Sequence, residues 1–597
     1  MSRFFILAFS LCLFTLPVAA QEDKSSALLE NLIEDMHAAD MAADPVAAGL
    51  EGDKAARRRL PDVSPEAKRK ISQQDEAFRA RWESISLSDL PDDEKLNYAL
   101  VGWTLSQKAL LAPIDGSRIP FNNDSGFYNG LTYSVRNTRF DTEADYRDYI
   151  ARLRDVPRYF DQHISNMRRG MAGGYTAPAA IMPGVVKGVH NITHITAENH
   201  PLAAPFMTVN SRLPESQRSK IKSDGLAVIR RSVLPSYKKL LAFMETEYVP
   251  AARPKIGLSS TPGGRANYAR LVKYYTTLDM KPEQVHKIGQ AEVKRIRSEM
   301  NAIISETGFD GTFAEFLVFL RTDPQFYATS REDLLKEASY IAKRIDGKMP
   351  EFFGTLPRLS YGVIAVPAEL EQNYTTGRYF GGNAKQGKAG NYVVNTYDLP
   401  QRPLYNLPAL TLHEGVPGHH HQISLAAEQE DVPEFRQNLY PHAFGEGWGL
   451  YAEKLGVEMG IYRTPYEQFG RLTYEMWRAC RLVMDTGMHY MDWTRDKAES
   501  CLRENSALAE HNIKTETDRY IAWPGQALAY KMGELKILEL RKRAETALGA
   551  DFDIRRFHDA VLVDGAVPLN ILETRIDDWI VFESDRLTND DAEDEDG

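Results

Sequence analysis

Cysteine is scarce in this sequence: three residues in 597, at positions 12, 480 and 501. That number excludes a disulfide-built scaffold and a thiolate zinc cluster. Long apolar runs are missing too. After the first twenty residues, no stretch approaches the roughly 20 apolar residues needed to span a bilayer. Basic charge is in deficit, 72 Lys and Arg against 83 Asp and Glu, for a net charge of -11. This balance argues against nucleic acid as a partner. There is no repeat of fixed period, and strand-like sequence is confined to one region.

The chain opens MSRFFILAFSLCLFTLPVAA, a single basic residue, an apolar run and a small-residue end. This is the order of parts in a secretory signal peptide cleaved after Ala20. Leu11 before Cys12, in place of a small residue, argues against a lipoprotein site. The expected product is a periplasmic or secreted protein with no stable membrane insertion. Losing Arg3 with the leader takes the net charge to -12, and half of that lies in the terminal DDAEDEDG, read as a disordered, solvated tail over 586–597. Cys480 and Cys501 survive maturation, and both a disulfide between neighbouring helices and two separate buried thiols fit them.

From Ser25 to about Phe121, apolar residues recur at helical spacing among many charges, and the pattern returns around 146–171, 216–248 and 281–307. The expected organisation is a helical amino-terminal region over 21–250 and a catalytic region over 251–585, mainly α throughout. The strand-like exceptions, YGVIAVPAEL and GNYVVNTYDLP, predict one small sheet leading into the segment LTLHEGVPGHHHQIS.

That segment reads as a zinc helix with Pro417 and Gly418 in the way. In a zinc-peptidase helix, two histidines four residues apart bind the metal, and the glutamate after the first is the general base. His413 and Glu414 fit these places. Pro417 cannot donate to the His413 carbonyl, so the helix must bulge or break there, and Gly418 permits it. Looping out two residues presents His419 as the second ligand; looping out three presents His420. In an unbroken helix His420 would lie two turns from His413, roughly 10 Å away, too far to share an ion. A surface histidine cluster is the rival reading.

A second stretch, HAFGEGWGLYAEKLG, carries Glu446 and Glu453 seven residues apart on one helical face. Glu446 is the candidate third ligand, and Glu453 the candidate support for a ligand histidine. These motifs, with RACRLVMDTGMH and RYIAWPGQALAYKMG in that order, resemble the bacterial domain-of-unknown-function family 885, whose pattern is HExxPGHH followed by EGW and PGQA. That family is in turn similar to the helical gluzincin peptidases, such as thimet oligopeptidase and the Taq-type carboxypeptidases. The resemblance implies a large helical ellipsoid with a cleft, one zinc ion, the Glu446 and Glu453 roles just given, and a late tyrosine, Tyr530, as oxyanion donor. It also points to Asp485 and His489 as a coupled pair near the site, with His489 as an additional catalytic candidate.

Further substrate-binding candidates are Asn395 and Tyr397, on a strand read as pairing with an extended peptide. Arg378 is the candidate for a substrate carboxylate, and Tyr520 and Lys531 complete the set. The expected function is hydrolysis of short peptides by metal-activated water with Glu414 as base. The alternatives are a metal-dependent hydrolase of esters or non-peptide amides, and a non-catalytic metal- or substrate-binding protein.

Overall fold

The computed structural model describes residues 16–368, 371–383, 387–429 and 432–595. Most of the segment expected to be a leader, residues 1–15, lies outside them. The chain divides into two compact units, one of residues 1–120, 126–169 and 189–243, the other of 121–125, 170–188 and 244–597. Two short pieces of the amino-terminal stretch belong to the second unit.

The first unit is helical, with long helices over Leu16–Ala43, Pro65–Glu83, Asp92–Leu111 and Glu143–Arg154. Local chemistry sets their starts: the Ser64 hydroxyl accepts from Ala67 N, and Thr142 and Asp145 form a reciprocal capping box. Tyr146, Ile150, Phe160, Ile164, Tyr237 and Leu240 are buried in its core.

The second unit holds every candidate site residue. Its helices that matter here are α1 (Pro282–Thr307), α2 (Leu407–Glu414), α3 (His419–Ala427), α4 (His442–Glu458), α5 (Pro465–His489), α6 (Arg495–Asn505), α7 (Glu510–Ala522) and α8 (Ala529–Leu548). Helix α5 is the central post, with every residue from Phe469 to His489 buried. Its charged residues are tolerated because they are paired. Glu475, for example, meets Arg471 at 2.8 Å and Lys531 at 2.8 Å. Helix α4 lies close against α8 because both present glycine at the contact: a Cβ on Gly533 would sit 1.8 Å from the Ala443 carbonyl oxygen.

Three strands form the sheet, β1 (Tyr361–Ala365), β2 (Gly377–Phe380) and β3 (Gly390–Val394), in the order β1-β3-β2. β1 runs parallel to β3 with Tyr361 opposite Gly390, and β2 runs antiparallel to it with Tyr379 opposite Tyr392. β1 and β3 fall in the two segments expected to be strands. β2, four residues between loops, carries too little pattern to read. The sequence reading also assigned peptide pairing to the strand that became β3. That is corrected: β3 has a partner on both sides and offers no free edge.

Cys480 and Cys501 form a disulfide between α5 and α6. The last helix, α9, runs Leu569–Glu595, so the segment expected to be a disordered tail is helical as far as Glu595. Extending an existing helix costs far less than starting one, and Arg586 pairs with Glu583 at 3.1 Å where the tail begins. Among the described residues, no helix is long and apolar enough to cross a membrane.

Candidate metal centre

Helix α2 ends at Glu414 and α3 begins at His419, with Gly415–Gly418 as a tight reversal between them. The Gly418 N–H reaches back to the Leu412 carbonyl at 3.0 Å, and the His420 N–H to the Gly415 carbonyl at 3.1 Å. Only glycine fits at 418, since a Cβ there would lie 2.0 Å from the His413 carbonyl oxygen. The Val416–Pro417 peptide is cis, and the Pro417 carbonyl accepts the Trp448 indole N–H at 2.7 Å. Trp448, between Glu446 and Glu453 on α4, thus ties the reversal to the helix opposite. The motif EGW was its signal, but the sequence reading gave it no role.

The reversal brings His419 beside His413, with ring centroids 4.8 Å apart and planes nearly perpendicular. The Nε2 atoms of both histidines lie 3.6 Å from one atom, Glu446 Oε2. One nitrogen from each ring and one Glu446 oxygen all fall within 4.8 Å of one another. A tetrahedral ion with bonds of about 2.1 Å holds its ligands roughly 3.4 Å apart, so this donor set fits zinc with a fourth position left open. His420 is placed elsewhere. Its Nδ1 faces the Tyr379 hydroxyl at 2.9 Å and Ser424 Oγ at 3.2 Å, and burial lowers its pKa to about 4.

Glu453, one turn pair beyond Glu446, is buried with Oε1 2.8 Å from His413 Nδ1. This contact fixes the ring so that Nε2 faces Glu446. Burial opposes protonation of His413, but Glu446 and Glu453 outweigh it and hold the imidazole up at about 10. Burial likewise opposes ionisation of Glu446, yet the two imidazoles hold its carboxyl well below the usual range. Gly449, on the same face of α4, makes room for the ring: a Cβ there would stand 2.7 Å from His413 Cε1.

Glu414 is buried and belongs to none of these ligand contacts. Its Oε2 accepts the Tyr379 N–H of edge strand β2 at 2.8 Å. Tyr440 was not singled out from sequence. Its ring is partly exposed, but its hydroxyl end packs over Gly445, and desolvation there, together with Glu446, Tyr530 and Glu414, holds its pKa well above 10. Tyr530 is buried, and its hydroxyl accepts from Arg519 at 3.2 Å.

Several sequence candidates lie outside this cluster. His489 is fully buried, its Nδ1 accepting from Leu258 N at 3.1 Å and its Nε2 facing the Tyr520 carbonyl at 2.9 Å. With both nitrogens engaged by backbone, it cannot be the catalytic group expected. Asp485 bonds the Tyr268 hydroxyl at 2.5 Å and Gly525 N at 3.0 Å, so the two bind separate partners instead of each other. The Asn395 amide is spent on the carbonyls of Glu371, Tyr374 and Thr375, and its oxygen on Tyr397 N. Tyr397 is half-buried, with its carbonyl taken by Arg402. Tyr520 is saturated by Trp477, Arg481 and Glu516. Lys531, with no exposed surface, sits among Glu292, Glu475 and Glu534. Arg378 is exposed on the face of β2 opposite Tyr379, with its guanidinium 5.8 Å from the Tyr374 ring centre. Asn395, Tyr520 and Lys531 are therefore structural residues, because their polar groups have no capacity left for a substrate.

Fold and site define a mainly helical protein with a His-His-Glu cluster beside a small sheet. The chain belongs to the family described as "Bacterial protein of unknown function (DUF885)", whose model matches residues 45–576. It is similar to the crystal structure of a "putative lipoprotein" from Colwellia psychrerythraea, with 30% identity, a TM-score of 0.87, and coverage of 93% of this chain and 99% of that one. A "putative lipoprotein of unknown function" from Shewanella oneidensis shares the fold at 16% identity and a TM-score of 0.70, over 92% and 99% of the two chains. No curated protein matches the chain.

Proposed function

We propose that this protein is an exported, zinc-dependent peptidase of zincin-like fold acting on short peptides. The observation that carries the reading is the pairing of a ligand set with an unused base. His413 and His419 converge on Glu446 at 3.6 Å, while the buried Glu414 next to them ligates nothing. A protein that only stored metal would have no need of that carboxylate. The leader sequence and the Cys480–Cys501 disulfide support export to an oxidising compartment.

His413, His419 and Glu446 would hold the ion, which when bound supplies a lowered water pKa and polarisation of the scissile carbonyl. Glu453 keeps His413 in the ligating orientation. Glu414, fixed through one oxygen by Tyr379 N, has the other free to take a water's proton and pass it to the leaving amine. Tyr530, with Tyr440 beside Glu446 and Glu414 as a second candidate, is the hydroxyl we assign as donor to an oxyanion.

The test is elemental analysis together with cleavage of a mixed peptide library. Wild-type protein is expected to carry one zinc and to cleave in a chelator-sensitive way. Glu414→Gln should keep the zinc and lose at least 100-fold in rate, and His413→Ala should lose both. Full cleavage by metal-free His413→Ala protein would sink the assignment. Bound zinc without peptide cleavage would favour an ester or non-peptide amide substrate, or a binding role.

A further inference from the structure

Helix α2 has its metal ligand at one end and a cavity at the other. The cavity, about 160 Å³, opens at Asn406 and Leu407 and is walled by Tyr327, Tyr474 and Trp477. Taking roughly 30 Å³ per water, it holds about five waters or one compact side chain. Arg321 and Arg402 both line it.

Neither arginine has an ion-pair partner among the described residues. Arg321 donates only to the carbonyls of Ala507 and Ser506, at 3.1 and 2.8 Å. Arg402 donates through Nε alone, to the Tyr397 carbonyl at 3.2 Å. The neighbouring carboxylates are committed elsewhere, Glu510 to Arg503 and Asp398 to Gln401. Burial pulls both guanidinium pKa values down, by more than the neighbouring tyrosines and the more distant Glu510 and Asp398 restore.

Two helices also begin at this cavity. α2 starts after Asn406 and α7 after Ala509, and neither has a side-chain cap. The first N–H groups of α7 add positive potential to that of the arginines, whereas α2 continues from the helical turn Leu404–Asn406, its Leu407 N–H donating to the Leu404 carbonyl and Pro408 having none. Two guanidiniums that no carboxylate pairs with directly, lining one cavity, describe a place for an anion. The aromatic walls select an organic one.

We propose that this cavity binds the carboxylate of a small organic ligand, through Arg402 and Arg321. Its wall is linked to the metal cluster. Trp477 and Tyr474 flank the Arg478 guanidinium at 4.7 and 4.8 Å, and Arg478 Nη2 lies 3.6 Å from the Glu453 oxygen that holds His413. The carboxylate has two sources, an acidic group on the substrate of the proposed hydrolase or a free carboxylic acid. Only the first depends on that proposed function.

The experiment is calorimetric titration of the full mature chain with glutarate, its uncharged diamide and inorganic phosphate. Glutarate should bind saturably and the other two at least tenfold more weakly. Arg402→Gln should weaken glutarate at least tenfold at unchanged melting temperature, with partial recovery in Arg402→Lys. Arg402 is the chosen position because it holds a single backbone contact, whereas Arg321 braces two. Absence of glutarate binding, equal binding of phosphate, or equal binding by Arg402→Gln would overturn the proposal. Acidic peptides that compete with glutarate, and whose cleavage alone is slowed by Arg402→Gln, would assign the carboxylate to the substrate. Glutarate binding without such competition would assign it to a free acid. Glutarate binding in a protein that cleaves nothing would leave the cavity standing while the hydrolytic reading fell.

Discussion

At the scale of single residues, Gly449 tests how tightly the centre is built. Its Cα faces the His413 ring, and an added methyl would meet three ring atoms at 2.7 to 2.9 Å. The ring is also gripped by Glu453, so it cannot turn aside without losing that bond. Gly449→Ala favours the helix intrinsically, and it is expected to keep the fold while weakening zinc at least tenfold, read by competitive titration with a chromophoric chelator. Unchanged zinc affinity would mean that the ring is not held where the structure puts it. Asp485 makes a different prediction. Burial raises its pKa to about 7, although Tyr268 and Gly525 favour the ionised form. Between about 4 and 7 the native protein therefore keeps a proton that the unfolded chain has released, and this group's contribution to stability falls as pH rises. Comparing wild type with Asp485→Asn at pH 5 and pH 7 isolates the term from that of His489, whose neutral burial has the opposite sign. The urea midpoint of the variant should lose less on going to pH 7, by up to about 2 kcal/mol in stability. Equal losses would mean that Asp485 titrates normally.

At the scale of elements, the sequence made the break in the histidine helix legible, because Pro417 forbids continuation and Gly418 permits reversal. It left His419 and His420 both open, since the choice depends on backbone hydrogen bonds that no spacing encodes. The seven-residue interval of Glu446 and Glu453 was enough to put both on one face of α4. Asn395 was misread because a polar residue after a strand looks the same whether it faces a cleft or binds its own loop. The pairing of α5 with α6 was undecided for a similar reason: two cysteines on helices bond only if the helices are neighbours. The disulfide closes a 21-residue separation, which in the loop-entropy model contributes about 3 kcal/mol. The double variant Cys480→Ala/Cys501→Ala should lower the urea midpoint accordingly and keep its zinc, because neither sulfur touches the metal cluster. Loss of zinc at full stability would show that α6 positions α5 for the site.

At the scale of the whole molecule, the sequence announced a helical protein with one small sheet. It did not reveal the return of residues 121–125 and 170–188 to the second unit, which rests on contacts between segments far apart in the chain. The His-His-Glu cluster is itself such a contact. His413, His419 and Glu446 belong to three helices that only folding brings within 4.8 Å. An ion bound by all three stabilises the native state and not the unfolded chain, by about 2.7 kcal/mol at a free concentration 100 times its Kd. For a unit of 378 residues at about 2.1 cal/mol/K each, that corresponds to a rise of roughly 3 °C in melting temperature. Chelation should lower the calorimetric transition of wild type by this amount, and zinc should restore it. Glu446→Ala should melt at one temperature whether zinc is present or not. A wild-type transition indifferent to zinc would mean that the three side chains converge for a reason other than a metal ion.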